Sequence, residues 1–314
     1  MSRAFVFPGQ GSQAIGMGKE LAEAEPVARA VFDEVDQALG QNLSGLMFDG
    51  DMDVLTLTEN AQPALMAVSL AVIRVLENKV GKQIDGLAAY VAGHSLGEYS
   101  ALAAAGALGL SDTARLLKRR GQAMQRAVPV GEGAMAAILG LDLDAVKEIT
   151  ADAADGEVCA AANDNAPGQV VISGARSAVE RAVALSSERG GRRSVLLPVS
   201  APFHCSLMQP AADEMAEALA GIDIVKPAVP LVCNVTAQAI DDPNDIRRLL
   251  VEQVTGMVRW RESVAAMRDY GVDTFAEVGA GKVLSGLVRR IDRDLASVAI
   301  NGSADIAAFV DSQS

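Results

Sequence analysis

The chain has 314 residues, a length that predicts about two domains or one large domain carrying an insertion; at 50% hydrophobic and 21% charged it has the apolar material for a sizeable core. Lys and Arg number 27 against 40 Asp and Glu, a net charge of −13, and aromatics make up 4%, which leaves neither a basic footprint nor a stacking platform for nucleic acid. Cys159, Cys205 and Cys233 stand too far apart for a metal signature or a disulfide framework and fit the reduced thiols of the cytoplasm. The first apolar run stops at Pro8, far short of a secretion signal, and no uncharged apolar run reaches the roughly 18 residues that a membrane span needs.

Ala4 to Phe7 reads as a strand, followed by the turn Pro8-Gly9-Gln10-Gly11-Ser12. Asn60 to Val80 reads as a long buried helix, and Leu87 to Ala92 as a strand running into Gly93-His94-Ser95-Leu96-Gly97 and a second apolar helix. Ser111 has the character of an N-cap for a helix that ends before Pro129. The texture then changes: strand Met135 to Leu141, helix Leu143 to Ala154, strand Val158 to Ala162, a turn with Asn163, Asn165, Pro167 and Gly168, strand Gln169 to Ser173, helix Ala175 to Glu188, strand Ser194 to Pro198. That order is β-α-β-β-α-β, a ferredoxin-like unit. Beyond it come a helix near Met208 to Ala220, a strand at Leu231 to Val235, helices near Ile246 to Val254 and Arg261 to Tyr270, a strand at Thr274 to Val278 and a last helix through Leu287. The expected fold is α/β, a core with a largely parallel sheet formed by residues 1–128 and 199–314, with residues 129–198 inserted as a ferredoxin-like subdomain.

Gly93-His94-Ser95-Leu96-Gly97 is a G-x-S-x-G between a predicted strand and a predicted helix, the context that motif requires. Its glycines allow the sharp turn that lifts a serine hydroxyl out of the sheet, and the helix start turns N–H groups toward a developing oxyanion, so Ser95 is the candidate nucleophile. A serine needs a base, and the chain has two histidines. His94 adjoins Ser95 and is read as packing at the elbow; His204, in the loop Ser200-Ala201-Pro202-Phe203-His204-Cys205, is the candidate base, with Cys205 a bystander. On a helical wheel from Ser111, Leu116, Leu117, Ala123, Met124 and Ala127 form an apolar stripe with Arg120 at its centre. A guanidinium cannot shed its charge, so Arg120 must meet an anion, either an internal carboxylate or the carboxylate of a substrate. The loops Gly9 to Gln13 and Gly279 to Lys282 lack the glycines or hydroxyl of nucleotide loops, and the Gln10 region is read as a second oxyanion donor.

Phe7-Pro8-Gly9-Gln10-Gly11-Ser12-Gln13, Gly93 to Tyr99, Gly131-Glu132-Gly133-Ala134-Met135, Pro167-Gly168-Gln169 with Ile172-Ser173-Gly174, and Ser200 to His204 resemble, in order and over nearly the whole chain, the blocks of the malonyl-CoA:acyl carrier protein transacylase family. The resemblance implies a hydrolase-like core with a ferredoxin-like insertion. It implies ping-pong transfer of malonyl from malonyl-CoA through Ser95 to the phosphopantetheine thiol of acyl carrier protein, for fatty acid synthesis, with no metal and no bound cofactor. It assigns orientation of His204 to the backbone carbonyl of Gln253, malonate binding to Arg120, and the oxyanion hole to Gln10 and the N–H of Leu96. Where the family commonly has proline before Val258-Arg259-Trp260, this chain has Met257. The competing expectations are a serine thioesterase or esterase, a trans-acting acyltransferase of polyketide synthesis, and a module that only binds acylated carriers. A carrier, itself acidic, would need a local basic patch, for which the candidates are Arg189, Arg192 and Arg193, or Arg289, Arg290 and Arg293.

Overall fold

Strands in this chain form two sheets, which a computed structural model describes over residues 2–312. In chain order the strands are β1 (Arg3–Phe7), β2 (Tyr90–Gly93), β3 (Gly133–Leu139), β4 (Cys159–Ala166), β5 (Gln169–Ala175), β6 (Arg193–Leu196), β7 (Leu231–Val232), β8 (Ala239–Ile240), β9 (Thr274–Val278) and β10 (Ala296–Ile300). The larger sheet has the order β10-β9-β1-β2-β7-β8, parallel throughout except for the β7–β8 hairpin. Both of its faces are covered, so Ala4 to Phe7 are apolar without alternation and wholly buried, as parallel strands must be. The helix Thr58–Val80 lies in the main core and is apolar all round over Ala64–Ile73, interrupted only by Ser69. No helix among the described residues is long and apolar enough to cross a membrane.

The smaller sheet has the order β4-β5-β3-β6 and is wholly antiparallel. Its elements follow the β-α-β-β-α-β order, with the helices Leu143–Ala154 and Arg176–Glu188 after β3 and β5. Period two divides its side chains between two cores. Ala136, Ile138, Val170 and Ile172 face those helices with Val146, Ile149 and Val179, whereas Met135, Ala137 and Val171 join the main core. At the seam, Asp164 N–H donates to Val258 O and Val258 N–H to Ala162 O, both at 2.9 Å, and Arg261 pairs with Asp164 at 2.7 Å.

Several local expectations are corrected. The helix Leu110–Ala127 starts after Gly109, and the Ser111 hydroxyl donates to Glu34 instead of capping. Asn163 and Asn165 belong to β4, whose pairing with β5 tolerates register shifts there, leaving Pro167-Gly168 as the turn. Leu87 to Ala89 precede β2, and β7 stops at Val232, because Cys233 and Ala237 close a tight turn back to β8. The helix expected to end near Leu287 runs to Ile291, and β10 with the helix Ser303–Asp311 extends the fold past it. Residues 19–56, to which the sequence assigns no element, form four helices.

Candidate active site

Three neighbouring parallel strands, β1, β2 and β7, end on the same side of the larger sheet, and each hands a residue to one cluster: Gln10 after β1, Ser95 after β2 and Asn234 after β7. The crevice beyond the carboxyl ends of strands is where open α/β sheets place their sites. The elbow after β2 is tight. A Cβ on Gly97 would lie 2.2 Å from Phe7 O, so glycine alone lets the helix Gly97–Ala104 start against the end of β1. Ser95 itself takes φ +54°. Asn234 holds it there, its Oδ1 accepting from Ser95 N–H at 2.8 Å and its Nδ2 donating to Gly93 O at 2.7 Å.

His204 reaches the elbow from the loop after β6, also at positive φ, +60°. Only four described non-glycine residues have positive φ, and two of them face each other here, which is the kind of backbone strain that collects at functional sites. His204 Nε2 lies 2.8 Å from Ser95 Oγ, and Nδ1 faces Gln253 O at 2.9 Å and Gly256 O at 3.1 Å. Carbonyl oxygens only accept, so Nδ1 carries the proton and Nε2 is left to accept from the serine hydroxyl. Those carbonyls are free because they stand at the end of the helix Pro243–Thr255, where the last turn has no intrahelical donors. Met257 leaves this arrangement intact. Burial, and next the charge of Arg120, push the His204 imidazole down to about 3, so it is neutral at neutral pH.

Arg120 is 1% exposed and makes no ion pair among the described residues. Its helix packs closely against Thr58–Val80, since a Cβ on Gly121 would sit 2.5 Å from Glu59 Cα, and this brings Arg120 beside Gln62. Nη1 donates to Gln62 Oε1 at 2.7 Å; Nη2 donates to Gln253 Oε1 at 2.9 Å and to Ser95 Oγ at 3.1 Å. Every anchoring acceptor is neutral, Nε has no hydrogen-bond partner among the described residues, and the Tyr99 ring lies 5.7 Å from the guanidinium carbon. Gln62 Nε2 passes a hydrogen bond to Thr58 Oγ1 at 2.9 Å, and Thr58 to Gln10 Oε1 at 3.0 Å. Donors thus run outward from the one cation.

The backbone N–H groups of Gln10 and Leu96 donate to nothing among the described residues. His94 turns away from Ser95: its Nε2 lies 2.8 Å from Asn165 Oδ1 and its ring 5.8 Å from that of Trp260, and burial lowers its pKa. Cys205 Sγ is spent on Pro202 O.

Ser95, His204, Gln253 and Arg120 are therefore in direct contact, while Gln10 joins through Thr58 and Gln62. Sequence reasoning missed Asn234, Gln62 and Glu98. Glu98 is wholly buried, its Oε2 receiving Gln253 Nε2 at 2.6 Å and Asn234 N–H at 3.3 Å; burial pushes its carboxyl up to about 7. A wheel could have flagged Gln62 and Glu98 as polar residues in apolar helices; Asn234 looked like strand. Of the two basic clusters, Arg189 pairs with Asp152, Arg289 bonds Ser297 and Arg290 bonds Gln169.

Comparison with known proteins agrees with this arrangement. Residues 4–305 match the acyl transferase domain family. The chain is 49% identical to the malonyl CoA-acyl carrier protein transacylase of Bacillus subtilis (strain 168), over 95% of this chain and 93% of that protein. An acyl-carrier-protein-S-malonyltransferase from Bartonella henselae has a solved structure that superposes with a TM-score of 0.97 at 55% identity, covering 99% of each chain. A malonyl-transacylase solved in complex with a type II PKS acyl-carrier protein superposes with a TM-score of 0.96 at 42% identity, covering 99% of this chain and 100% of that one. The chain belongs to the acyl transferase family and, within it, to the malonyl CoA-acyl carrier protein transacylases.

Proposed function

We propose that this acyltransferase moves a malonyl group from malonyl-CoA to the phosphopantetheine thiol of an acyl carrier protein through a malonyl ester on Ser95, supplying extender units for fatty acid synthesis. Ser95 Oγ attacks the thioester carbonyl as its proton passes to His204 Nε2. The imidazolium so formed keeps its Nδ1–H on the Gln253 and Gly256 carbonyls, and the carbonyl oxygen, now negative, meets the unspent N–H groups of Leu96 and Gln10. CoA leaves with the proton from His204. The carrier thiol then gives its proton to His204 and attacks the ester, and that proton returns to Ser95 Oγ as the malonyl thioester departs.

The observation that carries this reading is Arg120: a buried cation anchored only by neutral groups, 3.1 Å from the serine hydroxyl, is a receptor for a carboxylate on the acyl group. Intact-mass spectrometry after mixing with malonyl-CoA tests it, beside Ser95→Ala and Arg120→Ala, followed by holo carrier protein. A malonyl adduct that needs Ser95, weakens without Arg120 and moves to the carrier is expected. Free malonate accumulating without an adduct would mean a thioesterase.

We further propose residues 1–128 and 199–314 as the catalytic core and 129–198 as the inserted subdomain, supported by the separate small core of the antiparallel sheet. Three free thiols suit the cytoplasm.

A further inference from the structure

Two buried charges flank the Gln253 side chain. Arg120 gives Nη2–H to its Oε1 at 2.9 Å, and its Nε2–H goes to Glu98 Oε2 at 2.6 Å, so cation and anion are joined through one amide and never touch. The amide dipole is aligned with both, oxygen toward the guanidinium and N–H toward the carboxylate. Glu98 is the carboxylate whose charge reaches Arg120. A direct fork-to-fork ion pair would take two parallel guanidinium donors, whereas the interposed amide takes a single Nη2–H, and Nε–H and one Nη1–H stay unspent among the described residues. Glu98 Oε1 is buried and has no hydrogen-bond partner among the described residues.

With the site empty, one cation and one anion balance in a water-poor interior. An acyl carboxylate arriving on Arg120 makes one cation and two anions, an excess charge that low dielectric penalises. The newcomer touches the guanidinium and stays ionised; Glu98, an amide away with an orphaned oxygen, is the group placed to give up its charge. We propose that Glu98 is the protonatable counter-ion of Arg120, ionised in the empty site and taking up one proton from solvent when the acyl carboxylate of the substrate binds the guanidinium. This rests on Arg120 being that carboxylate's receptor.

The surroundings isolate the effect. Burial holds Glu98 itself at about 7. Tyr99 on its own helix is pushed up to about 12, the Cys233 thiol after β7 is pushed far up by burial, and His204 is pushed down to about 3. Arg120 keeps its charge throughout, and Gln253 and Asn234 do not titrate.

The test is KM for malonyl-CoA and for acetyl-CoA over about pH 6 to 9. For the unaltered protein, the malonyl-CoA KM should rise with pH through the Glu98 titration, by up to about tenfold per unit, and the acetyl-CoA KM should not follow it. Groups on CoA itself titrate equally in both substrates. In Glu98→Gln the malonyl slope should vanish; a merely structural role would lower activity alike at every pH. Should Glu98→Gln not fold, calorimetric titration of Ser95→Ala protein in buffers of different ionisation enthalpy counts protons directly. More protons should be taken up with malonyl-CoA than with acetyl-CoA at about pH 8, and equal counts would overturn the proposal. If Arg120→Ala loses the preference for malonyl while Glu98→Gln keeps the original slope, the Glu98 proposal alone falls. If Arg120→Ala keeps the preference, the reading of the site falls and takes the proposal with it.

Discussion

The side-chain amide of Asn234 holds both sides of the turn that presents Ser95, accepting from Ser95 N–H at 2.8 Å while donating to Gly93 O at 2.7 Å. Its orientation is fixed, because each backbone group can make only one of the two bonds. Asn234→Ala orphans a buried donor and a buried acceptor, each costing about 1 to 3 kcal/mol, so urea denaturation should show a loss of about 2 to 6 kcal/mol. Malonyl loading of the folded fraction should fall as well, since φ +54° at Ser95 has lost its restraint. Unchanged stability would show that Gly93 and Gly97 shape the elbow unaided.

Arg120→Lys keeps the charge and loses the fork. Three of the five guanidinium donors are in use, one on Gln62 and two on Gln253 and Ser95, and an ammonium on a shorter head cannot span Gln62 and Gln253 together. A hydrogen bond to a charged group contributes about 1.5 to 3 kcal/mol, so kcat/KM for malonyl-CoA relative to acetyl-CoA should fall about 10- to 100-fold. Competition between the two donors in one assay reads that ratio.

His204 makes the protein sensitive to acid. Its folded pKa, about 3, lies below the ordinary 6.5, so between those values the unfolded chain binds the proton and the native site does not, and stability is lost as pH falls. Glu98 runs the other way: its folded value of about 7 lies above the ordinary 4.5, so the native state takes up that proton first and gains stability as pH falls from 7 toward 4.5. The two terms oppose each other between about pH 4.5 and 6.5, and the unaltered protein should show a shallow profile there. His204→Gln removes one of them. Measured by denaturant melts, the stability of that variant relative to the unaltered protein should climb by about 1 kcal/mol per unit as pH drops below 6.5. A constant difference would mean that His204 is not held neutral.

What the sequence made legible were features with a period or a motif. The short apolar runs of β3 and β5 and the 3.6-residue stripe around Arg120 report burial directly, and G-x-S-x-G reports a backbone that few other sequences allow. Asn234 was not legible, because a polar residue two positions past a two-residue strand has no period; it matters only through a contact 139 residues away in the chain. Three of the four helices over residues 19–56 have only five to seven residues, and the one starting at Lys19 follows a glycine that supplies no side-chain cap. They exist because Phe32, Leu43, Met47 and Leu55 are buried by the main core, a tertiary effect that local pattern does not carry. The arrangement of β10 beside β9 was missed for a similar reason, since Ala296–Ile300 alternates exposed and buried residues at a sheet edge and lacks the apolar density of β1.

The proposed inserted subdomain, residues 129–198, should not fold alone. It has a core of its own, where Ala136, Ile138, Val170 and Ile172 meet Val146, Ile149 and Val179. The other face of the same sheet turns Met135, Ala137, Ala162 and Val171 into the main core, and excision would leave that apolar surface in water. The seam would be cut too: Asp164, 1% exposed, would lose Arg261, and the β4 backbone would lose its bonds with Val258. A segment of about 70 residues is already near the size where a single core is marginal, so halving the burial of its sheet tips the balance. Residues 129–198 expressed alone should show no cooperative thermal transition by circular dichroism and should bind a hydrophobic dye. A sharp transition would mean that the two helices suffice and that the second face contributes only to docking. In the intact chain, Asp164→Ala should lower stability less than this, by about 1 to 3 kcal/mol, because it removes one partner of the Arg261 pair while the apolar face stays covered.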